Sequence, residues 1–224
     1  MESTCHLCGK PLSGQTNREH VPPLQFFPHE ARKRLNPQLD TLEVHSSCNT
    51  AYQRDEDYFA YSVGAIAVET PAGGALGRDQ SRRFKEGRLK GLAMKTLGEF
   101  VPRPGDPKPP EGMALKRVDA KRASRVVWKI VRGLYALNRN EVLPDETNKL
   151  IEMAEPGREI PPEYKYVLTQ KSQGRYPGVF DYKSVVVGDT FKAEMWALVF
   201  WHCMIAFATF HALTCPCPQC SPGK

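Results

Sequence analysis

Two pairs of soft metal donors stand near the start of the chain, with two residues between the members of each pair. The first pair is Cys5 and Cys8, and the second is His45 and Cys48. Thiolates and an imidazole arranged as two half-sites on separate segments are typical of a closed, tetrahedral zinc site. Because a short segment has little core of its own, a bound ion contributes much of its folding free energy. We therefore predict that these four residues bind one structural Zn²⁺.

An acid–histidine motif, Glu19-His20-Val21-Pro22, lies between the two pairs, and Asn49 directly follows the last donor. In this combination, residues 5 to about 60 resemble the HNH, or ββα-metal, endonuclease superfamily. The resemblance is to the variety with a zinc knuckle and an acid–histidine–hydrophobic–proline signature. In such enzymes the histidine lies at the end of the first strand of a hairpin. The resemblance implies a zinc-stapled ββα-metal module at the start of an α+β protein.

The resemblance also implies a role for each residue of the motif. His20 matches the general base, Glu19 matches the acid that binds a divalent cation, and Asn49 matches the helix residue that completes the cation site. A neutral imidazole can accept the proton of the attacking water at physiological pH. Hard oxygen ligands suit Mg²⁺ or Mn²⁺, whereas thiolates bind zinc, so the two sites select different metals. One such cation can bridge the scissile phosphate and the leaving 3′ oxygen.

His45 has an alternative assignment. It stands four residues before Asn49, and in HNH enzymes without a zinc knuckle two helix residues at this spacing bind the catalytic cation. We assign His45 to zinc because its spacing to Cys48 repeats that of the first pair. His6 and His29 match no position of the pattern.

The composition is that of an ordinary globular protein with a mild excess of positive charge. The 224 residues carry a net charge of +6, which favours an anionic partner. Seven cysteines cannot all pair as disulfides, and their clustering indicates metal ligation in a reducing cytosol. Residues 1–5 lack the charged-then-apolar pattern of a signal peptide. We expect a cytoplasmic protein.

One segment, Met195 to Leu213, contains no Lys, Arg, Asp or Glu and approaches the length of a membrane span. It does contain polar residues, among them His202, Thr209 and His211, which are costly inside a bilayer. It is also rich in the aromatic residues that strands favour. A buried core element is therefore the better interpretation, and membrane association is unlikely on this basis.

The chain divides by composition into three parts. Residues 1–68 are predicted to form the HNH nuclease module, residues 69–112 a basic, Gly/Pro-rich linker, and residues 113–224 an α+β domain of unknown role. Within the linker, residues 78–95 are either basic linker or an exposed helix. Pro71-Ala72-Gly73-Gly74 is expected to break the chain, and the proline-dense residues 101–110 are expected to form a stiff spacer. The last part is a candidate surface for a protein partner or a second copy of the chain.

Hydrophobic periodicity predicts the elements of the last part. Residues 115–139 have apolar residues at helical spacing on one face. Strand-favouring residues between turn signals predict three strands. These strands are Tyr164–Thr169, Val179–Val187 and Glu194–Phe210.

Nucleic-acid binding is expected outside the motif module. Residues 1–60 hold six Lys and Arg against eight Asp and Glu, so this part is slightly acidic. Two later stretches are basic and could neutralise phosphates and release counterions. For the second stretch, a solvated helix face is the alternative. The candidate phosphate-binding residues are Arg82, Arg83 and Arg88 in the first stretch, and Lys121, Arg125, Lys129 and Arg132 in the second.

The C-terminal tail contains three closely spaced cysteines, Cys215, Cys217 and Cys220. With His202 or His211 they could hold a second zinc ion. Their irregular spacing and the intervening prolines favour a thiol-rich tail instead.

These observations predict a metal-dependent HNH endonuclease that hydrolyses phosphodiester bonds in DNA. No base-reading motif is visible, so weak sequence specificity is expected. One alternative is a non-catalytic zinc module that binds nucleic acid or protein, and another is an RNA-cleaving nuclease. Phage or mobile-element enzymes, restriction and anti-phage defence are equally compatible settings.

Overall fold

A computed structural model describes residues 4–35, 39–100, 105–109, 111, 114–154, 159–188 and 193–211. Helices and strands are both prominent in these residues, so the predicted α+β class is confirmed.

The motif region folds as a hairpin followed by a helix. Strand β1 spans Thr16–His20 and pairs antiparallel with β2, Thr41–His45. Helix α2, Ser46–Ser62, begins directly after β2. Apart from the short helices between the two strands, the order is ββα. His20 is the last residue of the first strand, opposite Thr41. This is the position that the HNH resemblance implies for it.

The segment between the two strands contains two short helices and contributes side chains to the hydrophobic core. A short 3₁₀ helix, Leu24–Phe26, is followed by helix α1, His29–Leu35. Phe26 and Phe27 are fully buried, which fixes this segment against the rest of the molecule.

The second half contains a four-stranded antiparallel sheet with helices on both faces. Helix α5, Ala120–Arg139, packs on one face, and helix α6, Pro162–Leu168, packs on the other. The strand order is β3-β6-β5-β4. The strands are β3, Lys149–Met153; β4, Phe180–Val187; β5, Ala193–Phe200; and β6, Met204–His211.

This double covering accounts for the uncharged segment that begins at Met195. Strands β5 and β6 are buried from both sides, so their sequence is apolar almost throughout. The prediction of a buried core element is therefore confirmed. Among the described residues, no helix is both long and apolar enough to cross a bilayer.

Two strand predictions need correction. The segment Tyr164–Thr169 is largely helical, because Pro162 suits the first turn of a helix and Glu163 complements its dipole. Tyr164 and Val167, three residues apart, face the sheet. The segment Glu194–Phe210 is two strands, because the backbone reverses at Trp201 and His202, both with positive φ.

Most of the predicted linker, residues 69–112, is helical, which agrees with the exposed-helix alternative for residues 78–95. Helix α3, Pro71–Lys85, and helix α4, Lys90–Gly98, occupy it. The expected break at Pro71 is instead a helix start, since Thr70 caps the helix by accepting the Gly73 N–H at 3.0 Å. A glycine is required at 73, because a Cβ there would lie 1.9 Å from the Ala67 carbonyl oxygen.

One hydrophobic core contains residues of both the motif region and the sheet. Rings of Phe26, Phe59, Phe200 and Trp201 contact one another, with centroids 5.1 to 6.3 Å apart. The Trp201 indole also donates to the Phe26 carbonyl oxygen at 3.1 Å. The sheet therefore supports the segment that follows His20.

Gly73→Ala tests the close approach of α3 to the preceding turn. The added methyl group clashes with backbone, so the variant should lose about 1–3 kcal/mol of unfolding free energy in urea. Gly77→Ala in the same helix is the control, because its nearest neighbour would be 3.8 Å away. That variant should gain up to about 1 kcal/mol from helix propensity. Equal effects of the two changes would contradict this packing.

Candidate functional site

The two predicted zinc half-sites meet in one cluster. The ligand atoms of Cys5, Cys8, His45 and Cys48 all lie within 4.8 Å of one another. In the first half-site, the Cys5 carbonyl oxygen accepts N–H groups from Cys8 at 3.3 Å and from Gly9 at 2.8 Å. Gly9 has a φ of +71°, which a tight knuckle requires. The predicted donors can therefore hold one metal ion, and their chemistry suits structural zinc.

His45 belongs to this cluster. Its Nδ1 lies 3.3 Å from Cys8 Sγ and 3.9 Å from Cys48 Sγ. A metal bound at Nδ1 would place the ring proton on Nε2, which lies 3.1 Å from the Pro11 carbonyl oxygen and could then donate to it. The Ser13 backbone nitrogen lies 3.3 Å from the same Nε2.

The electrostatics of the knuckle favour a thiolate at Cys8. Burial alone would raise its pKa, but hydrogen bonds from the Lys10 backbone and from His45 lower the pKa of Cys8 to about 7. The thiolate is the form that binds metal.

The Cys/His cluster lies at the start of α2, because Cys48 is in the first turn of this helix. Asn49 follows Cys48 in the first turn of this helix, and its Nδ2 donates to Asn17 Oδ1 on β1 at 3.1 Å. The helix start and the first strand are thus held side by side.

One cleft of about 700 Å³ brings together two groups of predicted site residues. His20, Glu19 and Asn49 line it from the motif region. Arg82, Arg83 and Arg88 line it from α3 and the turn after it. The first basic stretch therefore lies at the same cleft as the candidate catalytic residues.

His20 is half-buried in this cleft. Burial lowers its pKa below the ordinary 6.5, and the nearby charge of Arg32 acts in the same direction, although Glu56 opposes both. His20 is therefore neutral at physiological pH and can accept a proton.

Glu19 does not present an open carboxylate to a cation. Its Oε1 lies 2.5 Å from Lys129 Nζ, and the side chains of Glu19 and Lys129 are 4% and 1% exposed. Lys129 also bonds to Glu56, which accepts a further bond from Gln25 Nε2 at 3.0 Å. Burial raises the pKa of Glu19 to about 7; Lys129 opposes this rise, and Glu56 adds to it. We call Glu19, Lys129 and Glu56 the buried charge triad.

The predicted cation site at Glu19 and Asn49 therefore does not fit this arrangement. An ammonium already neutralises the carboxylate, and the Asn49 amide bonds to Asn17. Within the described residues, the Cys/His cluster is the one group of three or more His, Cys, Asp and Glu donors close enough to hold an ion.

Two of the four residues predicted to form a phosphate-binding stripe on α5 are buried, and two are exposed. Lys129 is in the buried charge triad, and Arg132 is fully buried with its Nε donating to the Leu143 carbonyl oxygen at 2.9 Å. Arg125 pairs with Asp55 on α2 at 2.5 Å. Lys121 alone of the four is exposed without such an ion pair among the described residues. This polar face of α5 packs against α2, whose acidic residues neutralise it.

Sequence reasoning missed Arg32 at the site and gave Lys129, a candidate phosphate contact, a different role from the buried ion pairs it forms. Arg32 lies on α1, between the two parts of the motif, and no spacing rule connects it to His20. Lys129 was placed on a solvent face, because its partner helix could not be identified from periodicity. The candidate second zinc site at Cys215, Cys217 and Cys220 lies outside the described residues.

In comparisons with known proteins, no family model, no curated protein and no solved structure matches the chain. The assignment of function therefore rests on the site itself.

Cys48→Ser tests the metal cluster. Losing one of four ligands should lower the zinc content well below one ion per chain and disorder the knuckle and hairpin, because metal binding and folding are coupled. Zinc analysis and amide exchange measure the two effects. Cys203→Ser is the control, since Cys203 is exposed and outside the cluster. A Cys48→Ser chain with full zinc content would refute the assignment.

Lys129→Met tests the buried charge triad. The change leaves two buried carboxylates without a counter-charge, so the free energy of unfolding should fall by about 3–5 kcal/mol. Replacing Glu19 and Glu56 by Gln in the same chain should restore part of the loss. Lys121→Met, at an exposed position of the same helix, should change stability by less than about 0.5 kcal/mol. If Lys129→Met lowered the free energy of unfolding by as little as Lys121→Met, the buried charge triad would be contradicted.

Proposed function

We propose that this chain is an HNH-type endonuclease that hydrolyses phosphodiester bonds in DNA. One observation carries the proposal: a single cleft contains a neutral histidine at the end of β1, an asparagine at the start of α2, and several arginines. The paired strands β1 and β2 followed directly by α2, with a possible metal-binding cluster at their base, support the same class of protein.

His20 is the proposed general base. It removes a proton from a water molecule while the water oxygen attacks phosphorus. The bond from phosphorus to the leaving 3′ oxygen breaks, and that oxygen takes a proton from solvent. The products are a 5′-phosphate and a 3′-hydroxyl. The half-buried position of His20 and the charge of Arg32 keep it in the neutral form that this step requires.

Different observations support the structural zinc and the catalytic divalent cation. Zn²⁺ at Cys5, Cys8, His45 and Cys48 is proposed to hold the hairpin and α2 together. Dependence on Mg²⁺ or Mn²⁺ rests on the HNH resemblance alone, because Glu19 is engaged by Lys129. Titration of each cation into zinc-loaded protein that has been dialysed free of other divalent cations tests that dependence.

A non-catalytic nucleic-acid-binding module is the second candidate. The ion pair between Lys129 and Glu19 favours this candidate, because the carboxylate expected to bind the cation already has a partner. An RNA-cleaving nuclease shares the proposed chemistry, so one preparation should be assayed on both DNA and RNA.

His20→Ala tests the proposed base. The variant should keep its zinc and fold but lose cleavage by about 10²-fold or more. His202→Asn is the control, because His202 is exposed on the β5–β6 turn and asparagine tolerates its positive φ. Cleavage by His20→Ala at the wild-type rate would refute the role.

The pH profile gives an independent check on the same residue. The neutral form of His20 is the active one, so kcat/KM should fall as the pH drops through its pKa. Because that pKa lies below 6.5, full activity should persist to a lower pH than an ordinary histidine allows. An acidic limb centred above pH 6.5 would contradict this environment.

A further inference from the structure

Arg32 is held in an unusual way beside the candidate catalytic histidine. Its Nε donates to the Phe27 carbonyl oxygen at 2.8 Å, and an Nη donates to the Leu24 carbonyl oxygen at 3.2 Å. The guanidinium is half-buried and lines the same cleft as His20. Within the described part of the chain, it forms no ion pair with a carboxylate. Its charge is thus fixed in place by neutral partners.

A second arginine reaches the same cleft from a different helix. Arg83, on α3, is half-buried and likewise has no ion pair among the residues that the structure describes. Burial lowers the pKa of Arg32; the charge of Asp79 opposes this lowering, and the smaller effect of Arg83 adds to it. Arg32 and Arg83 are thus close enough to act on each other, and a bound anion that contacts both would be attracted by two partly buried positive charges.

The carboxylates of this part of the cleft are partly engaged elsewhere. Asp79 accepts the His29 N–H on Oδ2 at 2.8 Å and pairs with Arg82 through Oδ1 at 3.0 Å. Asp57 is also in the cleft, where burial raises its pKa although Arg83 opposes the rise. Neither acid forms a direct ion pair with Arg32 or Arg83 in the described structure.

We propose that Arg32 and Arg83 form a phosphate-binding subsite next to His20. The hydrogen bonds to the two carbonyl oxygens orient the Arg32 guanidinium before a ligand binds. Its remaining N–H groups stay available to donate to phosphate oxygens. A guanidinium held in this way loses little freedom when an anion binds. The subsite contacts the nucleic-acid backbone at or beside the scissile phosphate, so this inference rests on the proposed nuclease function.

Binding can be measured without cleavage by placing each variant in the His20→Ala chain. Arg32→Ala and Arg83→Ala should each weaken binding of a fluorescent duplex and reduce the slope of log affinity against log salt by about 0.9. Arg78→Ala is the control, because Arg78 lies on α3 but outside this cleft, paired with Glu30 on the surface. Its slope should stay unchanged.

Activity assays distinguish two roles for Arg32: contact with phosphate, and stabilisation of the Leu24–Phe27 turn alone. In the chain with His20 intact, Arg32→Ala should reduce kcat by roughly 10²-fold, the typical effect of losing one such donor. Added guanidinium ion should restore part of that loss, which it cannot do if only the turn is disturbed. Arg32→Lys should retain more binding than Arg32→Ala but lack the two-pronged contact.

Inorganic phosphate provides a probe that does not depend on how well Arg32→Ala folds. Phosphate should raise the melting temperature of the wild-type chain and of Arg78→Ala, but not that of Arg83→Ala, which holds no backbone group in place. Equal stabilisation of all three chains, or binding slopes of Arg32→Ala and Arg83→Ala that match Arg78→Ala, would overturn the subsite. If the wild-type chain cleaves neither DNA nor RNA while the slopes change as expected, the nuclease proposal fails and the subsite stands.

Discussion

The contact of Lys129 with Glu19 and Glu56 is the constraint on which the rest of the site depends. It joins three elements that are far apart in sequence: β1, α2 and α5. A buried charge is tolerable only when it is paired, so the three elements cannot separate without a large cost. Glu19 immediately precedes His20, and the ammonium of Lys129 therefore fixes the backbone from which the candidate base projects. A helix of the second half thus positions a residue of the first.

The shared aromatic core has a related effect on the other wall of the cleft. Phe26, packed between Phe59 and Trp201, holds the turn whose carbonyl groups orient Arg32. Gly73 lets α3 approach the end of the preceding turn, and this brings Arg83 to the cleft. The arginines and the histidine therefore come from separate segments that one core holds together. Charge on these segments can face a phosphate even though the motif region is itself slightly acidic.

Local spacing made part of this arrangement predictable. The two donor pairs and the motif between them identified the metal cluster and the position of His20, because ligand spacing and strand ends are short-range features. The α5 helix and strand β4 were also predictable from periodicity. Tertiary contacts were not predictable in this way. Lys129 has the spacing of a surface residue, but it is buried because it pairs with Glu56 on α2. No local pattern reveals that α2 packs against α5. Pro71 resembled a chain break because the Thr70 cap and the close approach at Gly73 depend on the folded turn.

The nature of the ends produced on a nicked plasmid tests the central claim most directly. Zinc-loaded wild-type protein should be incubated with supercoiled DNA in Mg²⁺ and, separately, in Mn²⁺, and the nicked product should then be treated with DNA ligase. Attack of a His20-activated water with loss of the 3′ oxygen predicts 5′-phosphate and 3′-hydroxyl ends, which the ligase reseals without further processing. Nicks that resist sealing because they carry 3′-phosphates, or the absence of any nicks on DNA in either metal, would contradict the account.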